Sequence, residues 1–315
     1  MEAADWTLGE EYLCLGISWT EGVPALDLVA VSGAAHLRVP IRGRRFGFRP
    51  GTAGRFCIGR YGFVDGTGIE LVPCPGQEPA VKGNQCELCA ARDEFRFAHH
   101  FHLGGYAPDA LKHYMAQRHW VYIASFADGA CKVGTASDCR KRSRLDEQGA
   151  VMASYLAATE DGASARLVED SITRELEISQ FKHRRSKVTA LAAPVERAVI
   201  AERHAETVGR AVELIEGSRL AAQVAIGPEP WQPPHEVTRV FAERPAEGWA
   251  VYPHDLHEGT HGFHVSGALG PAVFVRTSAE ADAVDFIVDF GSLKGSRIAA
   301  GEHVSPETVV QGTLF

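Results

Sequence analysis

The chain has no apolar run of the roughly 18–20 residues that a membrane-spanning helix requires. Its opening, MEAADWTLGEEYLCLG, is acidic and has no basic stretch followed by an apolar one, which argues against a secretory signal. A cytoplasmic protein with no membrane partner is therefore expected. Low-complexity tracts are absent, and no repeat of about 20–50 residues recurs, which excludes a solenoid or propeller. Also missing are a Walker loop, a G-x-S-x-G elbow and an H-E-x-x-H pair, the signatures of P-loop hydrolases, serine hydrolases and zincin proteases. Basic residues are in short supply overall: 32 Lys and Arg stand against 40 Asp and Glu, for a net charge of −8. This argues against coating a nucleic acid by bulk charge. A local basic groove is not excluded, because charges act over a screening length of about 8 Å.

The basic residues that are present are clustered. Arg140, Lys141, Arg142 and Arg144 form one run, and Lys182, His183, Arg184, Arg185 and Lys187 another. Arg140, Arg144, Lys182, Arg184 and Arg185 are candidate phosphate-gripping residues. A third basic stretch, Arg42 to Arg60, interleaves Arg with Phe and Gly. It reads either as an exposed loop able to stack on bases or as a twisted hairpin with solvated arginines.

At 315 residues, two or three compact units are expected. Short apolar patches at 12–15, 25–29 and 36–41, punctuated by Gly, Pro and Ser, predict a small antiparallel sheet. Residues 57–102 are rich in turns, Cys and His. There Cys86 and Cys89 form a C-x-x-C knuckle, with Cys57 and Cys74 upstream. Four thiolates suit a tetrahedral Zn²⁺, and His99, His100 and His102 are alternative ligands for one position. In a segment poor in aliphatic residues, such a metal would act as a staple. A short helix over 108–117 leads into a central unit. Later, Pro194 is placed to start a helix ending at Gly217, and 227–236 reads as a linker. The last third returns to short strands at 249–252, 262–267, 272–276 and 285–290. These form either a separate barrel or partners for the N-terminal strands. His254, His257, His261 and His264 fall on irregularly spaced loops, which reads as solvent exposure rather than a metal site.

The fold class expected is α+β, with three domains. Residues 1–107 are a β-rich domain containing the Cys-rich segment (57–102). Residues 108–226 are an α/β domain. Residues 227–315 are a β domain that pairs with the N-terminal strands in one of the two arrangements.

The central unit carries the chemistry. A strand at 120–124 meets a turn at Asp128-Gly129, then a second strand at 131–134. A helix loaded with arginine follows, capped by Ser137 or Asp138, with Arg142 and Asp146 on one face. A further helix, expected to run to about Phe181, has Ala165, Val168, Ile172 and Leu176 as its apolar stripe, with Glu169 at the stripe's edge. A carboxylate half-embedded there needs a partner, either a metal ion or Arg142.

Tyr122-Ile123-Ala124, Lys132-Val133-Gly134-Thr135, Arg142 and Glu169, in this order, resemble the GIY-YIG nuclease superfamily over about 100 residues. The layout, with a Cys-rich segment before the unit and a Gly-rich β tail after it, is also similar to a microbial domain family of unknown function. The resemblance implies a small central sheet with flanking helices. It implies that Tyr122 orders the attacking water or acts as base, that Arg142 stabilises phosphoryl charge, and that Glu169 holds Mg²⁺ or Mn²⁺. Two positions depart from the pattern: Lys132 replaces the second motif tyrosine, and Asp146 stands where a histidine is common. Lys132 suits a phosphate-binding charge or, when desolvated, a base. The function implied is a metal-dependent endonuclease or phosphodiesterase on DNA or RNA. The alternatives are an inactive zinc-containing nucleic-acid-binding protein and an enzyme on a small anionic substrate.

Overall fold

The computed structural model describes residues 6–33, 35–245, 248–278 and 284–307. The first five residues, on which the reading of the N-terminus begins, lie outside these, as do 308–315 of the expected C-terminal domain. In chain order the strands are β1 (Glu11–Thr20), β2 (Val23–Ala30), β3 (His36–Pro40), β4 (Arg45–Pro50), β5 (Arg60–Val64) and β6 (Gly68–Val72). Helices α1 (Glu87–Arg92) and α2 (Asp109–Met115) follow, with a 3-10 segment, Glu94–Leu103, between them. Then come β7 (His119–Ser125), β8 (Cys131–Ser137), α3 (Lys141–Gln148), β9 (Met152–Thr159), α4 (Gly162–Leu176), α5 (Arg184–Ala192) and α6 (Arg197–Glu216). The chain continues with β10 (Val224–Pro230), α7 (His235–Ala242), β11 (Ala250–Val251), β12 (His261–Leu269), β13 (Ala272–Arg276), β14 (Phe286–Asp289) and β15 (Arg297–Ala300). The fold is α+β, and no helix among the described residues is long and apolar enough to cross a membrane.

The chain divides into two units, and the division differs from the three consecutive domains expected. One unit combines Met1–Gly59, Pro73–Leu88 and His235–Phe315. Its sheet has the order β11-β14-β13-β12-β4-β15-β1-β2-β3, so strands from both ends of the chain interleave. β4 is hydrogen-bonded to β12 on one side and β15 on the other, both antiparallel. The pairing of C-terminal with N-terminal strands is thus the arrangement found. The Arg/Phe stretch is not a base-stacking loop. In β4, Phe46 and Phe48 are buried and pack edge-on against Phe290, while Arg45 and Arg49 point to solvent. The period-two alternation R-F-G-F-R accounts for this. Nor do the C-terminal histidines behave as one exposed group. His261 is buried, with Nδ1 3.0 Å from the Tyr252 hydroxyl and Nε2 2.9 Å from the Glu258 carbonyl, whereas His264 is exposed.

The other unit combines Arg60–Val72 with Cys89–Pro234. An antiparallel four-stranded sheet, β10-β9-β7-β8, forms its centre. On one face Val121, Ile123, Val133 and Leu156 pack against Ala165, Val168 and Ile172 of α4 and Ala211 and Ile215 of α6. The stretch 227–230, expected to be linker, belongs to β10. This is an edge strand, the one place in a sheet where Pro228 and Pro230 are tolerated. α4 is N-capped by Asp161, whose carboxylate accepts from the Ser164 amide at 2.7 Å. It ends at Leu176 rather than Phe181, because Glu177 turns into the left-handed region at φ 57°. That early stop frees 177–181 to run along β8, where the Val133 amide donates to the Ser179 carbonyl at 3.1 Å. α6 begins after Glu196, so Pro194 precedes the helix instead of opening it.

Candidate functional site

Successive residues of a strand face opposite ways, so the burial of Val121, Ile123 and Val133 against α4 and α6 turns Tyr122, Lys132 and Gly134 to the other face. Tyr122 lies directly across from Gly134. A Cβ at position 134 would stand 2.5 Å from both Cζ and the hydroxyl oxygen of Tyr122. Glycine is therefore what leaves room for the hydroxyl end of the ring beside β8. Tyr122 is fully buried, and its hydroxyl makes no hydrogen bond of regular geometry. Arg144, Glu169 and Arg166 all act on it electrostatically. Burial raises its ionisation above that of a free tyrosine, and Arg144 only partly opposes this.

A cavity of about 180 Å³ opens here, lined among others by Tyr122, Lys132, Arg144, Arg166, Glu169 and His99. Lys132 is buried, its Nζ 5.9 Å from the Tyr122 ring centre and donating to the Gln180 carbonyl at 3.5 Å. Burial, then the charges of Arg144 and Lys187, bring its ammonium down to about 7, against the pull of Glu169. Lys187, above the Phe126 ring, is lowered to about 8 by burial, Arg144 and Lys182. His99 is also lowered, by burial and by Arg166 and Arg144. Glu169 is buried and paired with Arg166 one helical turn before it. The loop 177–181 is pinned over the cavity by a relay. His102 Nε2 meets Asp170 at 2.8 Å, and the Gln180 side-chain amide donates to the same carboxylate at 2.8 Å.

Among the residues singled out from sequence, Tyr122, Lys132 and Glu169 line this cavity, and Arg142 does not. Arg142 is exposed and lies near Asp146, whose carboxyl is raised to about 6 by burial against the Arg142 charge that lowers it. The arginine that meets Tyr122 is Arg144, two residues on and so about 200° around the helix. The cause is in part local. Residues 138–140 form a 3-10 turn before α3 starts, which accounts for about 60° of rotation relative to a continuous α-helix, a part of that offset. Neither expected cap operates: Ser137 makes no capping bond, and Asp138 instead accepts from the Trp120 indole at 2.7 Å. Arg166, which sequence reasoning missed, was signalled by its i, i+3 spacing to Glu169. Of the phosphate-gripping candidates, Arg144 and Lys182 line the cavity, Lys182 paired with Asp128. Arg140 pairs with Glu147, and Arg184 and Arg185 lie exposed at the start of α5.

Cys57, Cys74, Cys86 and Cys89 bring their sulfurs within 4.8 Å of one another, and all four are buried. A tetrahedron with Zn–S bonds of about 2.3 Å has edges of about 3.8 Å, so the group is close enough to hold one metal ion such as zinc. With four sulfurs in place, the nearby histidines are not required. His102 is instead committed to Asp170, and His99 to the cavity.

Two outcomes are expected. Gly134→Ala should cost about 1–3 kcal/mol by overpacking the Tyr122 ring, and much less in a Tyr122→Ala background. Chemical denaturation of the two single variants and the double variant measures that coupling. Equal costs in both backgrounds would refute the contact. Metal analysis of purified protein should find about one zinc per chain, lost in Cys86→Ser. A metal-free, fully folded wild type would refute the cysteine assignment.

Residues 77–226, just under half of the chain, match the family described as "Protein of unknown function (DUF2797)". No curated protein and no solved structure matches the chain.

Proposed function

We propose that the Tyr122 cavity hydrolyses phosphodiester bonds of DNA or RNA, as the GIY-YIG resemblance suggests. The observation that supports this reading is the gathering of Tyr122, Lys132, Arg144 and Glu169 around one cavity. Four basic side chains, Lys132, Arg144, Arg166 and Lys182, face a space that holds a single carboxylate among its described lining. That balance suits a ligand carrying negative charge.

In the proposed reaction water attacks phosphorus, and neutral Lys132 takes the proton that water loses. The bond to the leaving oxygen breaks, and that oxygen receives its proton from solvent. Arg144 and Arg166 stabilise the charge that builds on the phosphoryl oxygens. Tyr122, held protonated by burial, acts as a donor to those oxygens rather than as the base. Glu169, the one carboxylate among the cavity's described lining, fits a hard cation completed by phosphate oxygens and water. Bound there, Mg²⁺ or Mn²⁺ would supply further charge neutralisation. Arg166 now occupies that carboxylate, so binding a cation requires the pair to open. The same pairing favours a second reading, a module that binds nucleic acid without cutting it. In both readings the four cysteines hold a structural Zn²⁺.

Glu169→Gln should lower cleavage of a labelled oligonucleotide by about 10²-fold or more, with binding largely kept; unchanged cleavage would remove the catalytic reading. Because neutral Lys132 is the reactive form, kcat/KM should fall as pH drops through about 7. That acid limb should vanish in Lys132→Met. A profile that is flat between pH 6 and 8 in wild type would contradict the role given to Lys132.

A further inference from the structure

A second cavity, of about 190 Å³, adjoins the first in the same unit, and the two share His99, Thr135, Arg144 and Arg166 as lining. What it adds is aromatic lining. Tyr61 of β5 and Phe95 of the 3-10 segment have ring centres 5.9 Å apart. Phe95 and Tyr114 of α2 are likewise 5.9 Å apart, and Tyr114 meets His119 edge-on at 5.7 Å. Ala98 and Met115 complete an apolar floor, and Arg140 stands in the lining beside Arg144. Its polar lining is Arg140, Arg144, Arg166, His99, His119, Thr135 and Ser137, whose Oγ accepts from the Tyr114 hydroxyl at 2.9 Å. Both lobes thus carry the Arg144 and Arg166 charge, and the second adds aromatic rings around a space the size of a single heterocycle.

We propose that this second lobe is a nucleobase subsite, which takes the base next to the phosphate held between Arg144 and Arg166. The proposal rests on the phosphodiester reading and specifies its substrate. A nucleotide places a planar, polarisable ring beside an anion, and stacking on aromatic side chains binds any base without needing its sequence. A base enclosed by residues from β5, the 3-10 segment and α2 is out of any helical stack. The substrate is accordingly a single strand, or a nucleotide turned out of a duplex.

The test compares two single-stranded oligonucleotides of equal length and equal phosphate number, one ordinary and one with every base replaced by an abasic spacer. Equilibrium binding is measured at fixed salt. Wild type should bind the abasic strand about 5- to 150-fold more weakly, the range expected for one stacked base. Ala98→Phe, which fills the lobe, should bring the two affinities together mainly by weakening the ordinary strand. Equal affinities in wild type would overturn the subsite and leave the phosphodiester reading standing. So would an unchanged ratio in folded Ala98→Phe. Absence of binding to both strands would remove the phosphodiester reading and the subsite with it. The wild-type comparison decides the matter even if Ala98→Phe does not fold.

Discussion

The candidate site depends on one contact, the ring of Tyr122 lying across Gly134. Two neighbouring strands present these residues opposite one another, and only the missing Cβ leaves room for the ring. Seated there, the tyrosine carries its hydroxyl to a point where Arg144 and Glu169 both act on it. Lys132, two residues before the glycine on β8, is held over the same face. Moving the ring would move the hydroxyl and remove the wall against which Lys132 is buried. The sheet's other face, packed on α4 and α6, prevents the strands from yielding.

Charge is arranged around that contact at a cost. Burying an ammonium beside two arginines is unfavourable, and Lys132 meets the cost by losing its proton more readily, at about 7. Unfolded, it would ionise near 10.4. Between these values the unfolded chain binds the extra proton, so this residue's contribution to stability rises with pH from about 7 to about 10. Below 7 the buried charge remains and destabilises the fold. Under the proposed function, an anion placed among Lys132, Arg144 and Arg166 would offset that cost.

How much of this was legible in the sequence varied with the signal. β1, β2 and β3 follow from apolar patches bounded by Gly and Pro, and Tyr122, Lys132 and Glu169 were singled out at positions that line one cavity. β4 was legible too, in the alternation of Arg45, Phe46, Phe48 and Arg49, but arginine content drew attention to solvent instead. β10 was obscured by its prolines, which mark an edge strand as readily as a linker. The end of α4 at Glu177 has no glycine to announce it. Arg142 was singled out over Arg144 by its place in the resemblance, and a run of four basic residues in five does not itself tell which one faces Tyr122. The cysteines were legible as metal-binding types. Their grouping was legible too, with Cys57 and Cys74 read as partners of the C-x-x-C knuckle, and the four sulfurs do converge.

The central claim is that this cavity is built around a phosphoryl group and that Lys132 responds to it. The most direct measurement is the titration of Lys132 by NMR, assigned through Lys132→Met, with and without inorganic phosphate. The account predicts ionisation near 7 in the free protein and a clear upward shift when phosphate binds. Titration near 10, unmoved by phosphate, would contradict it.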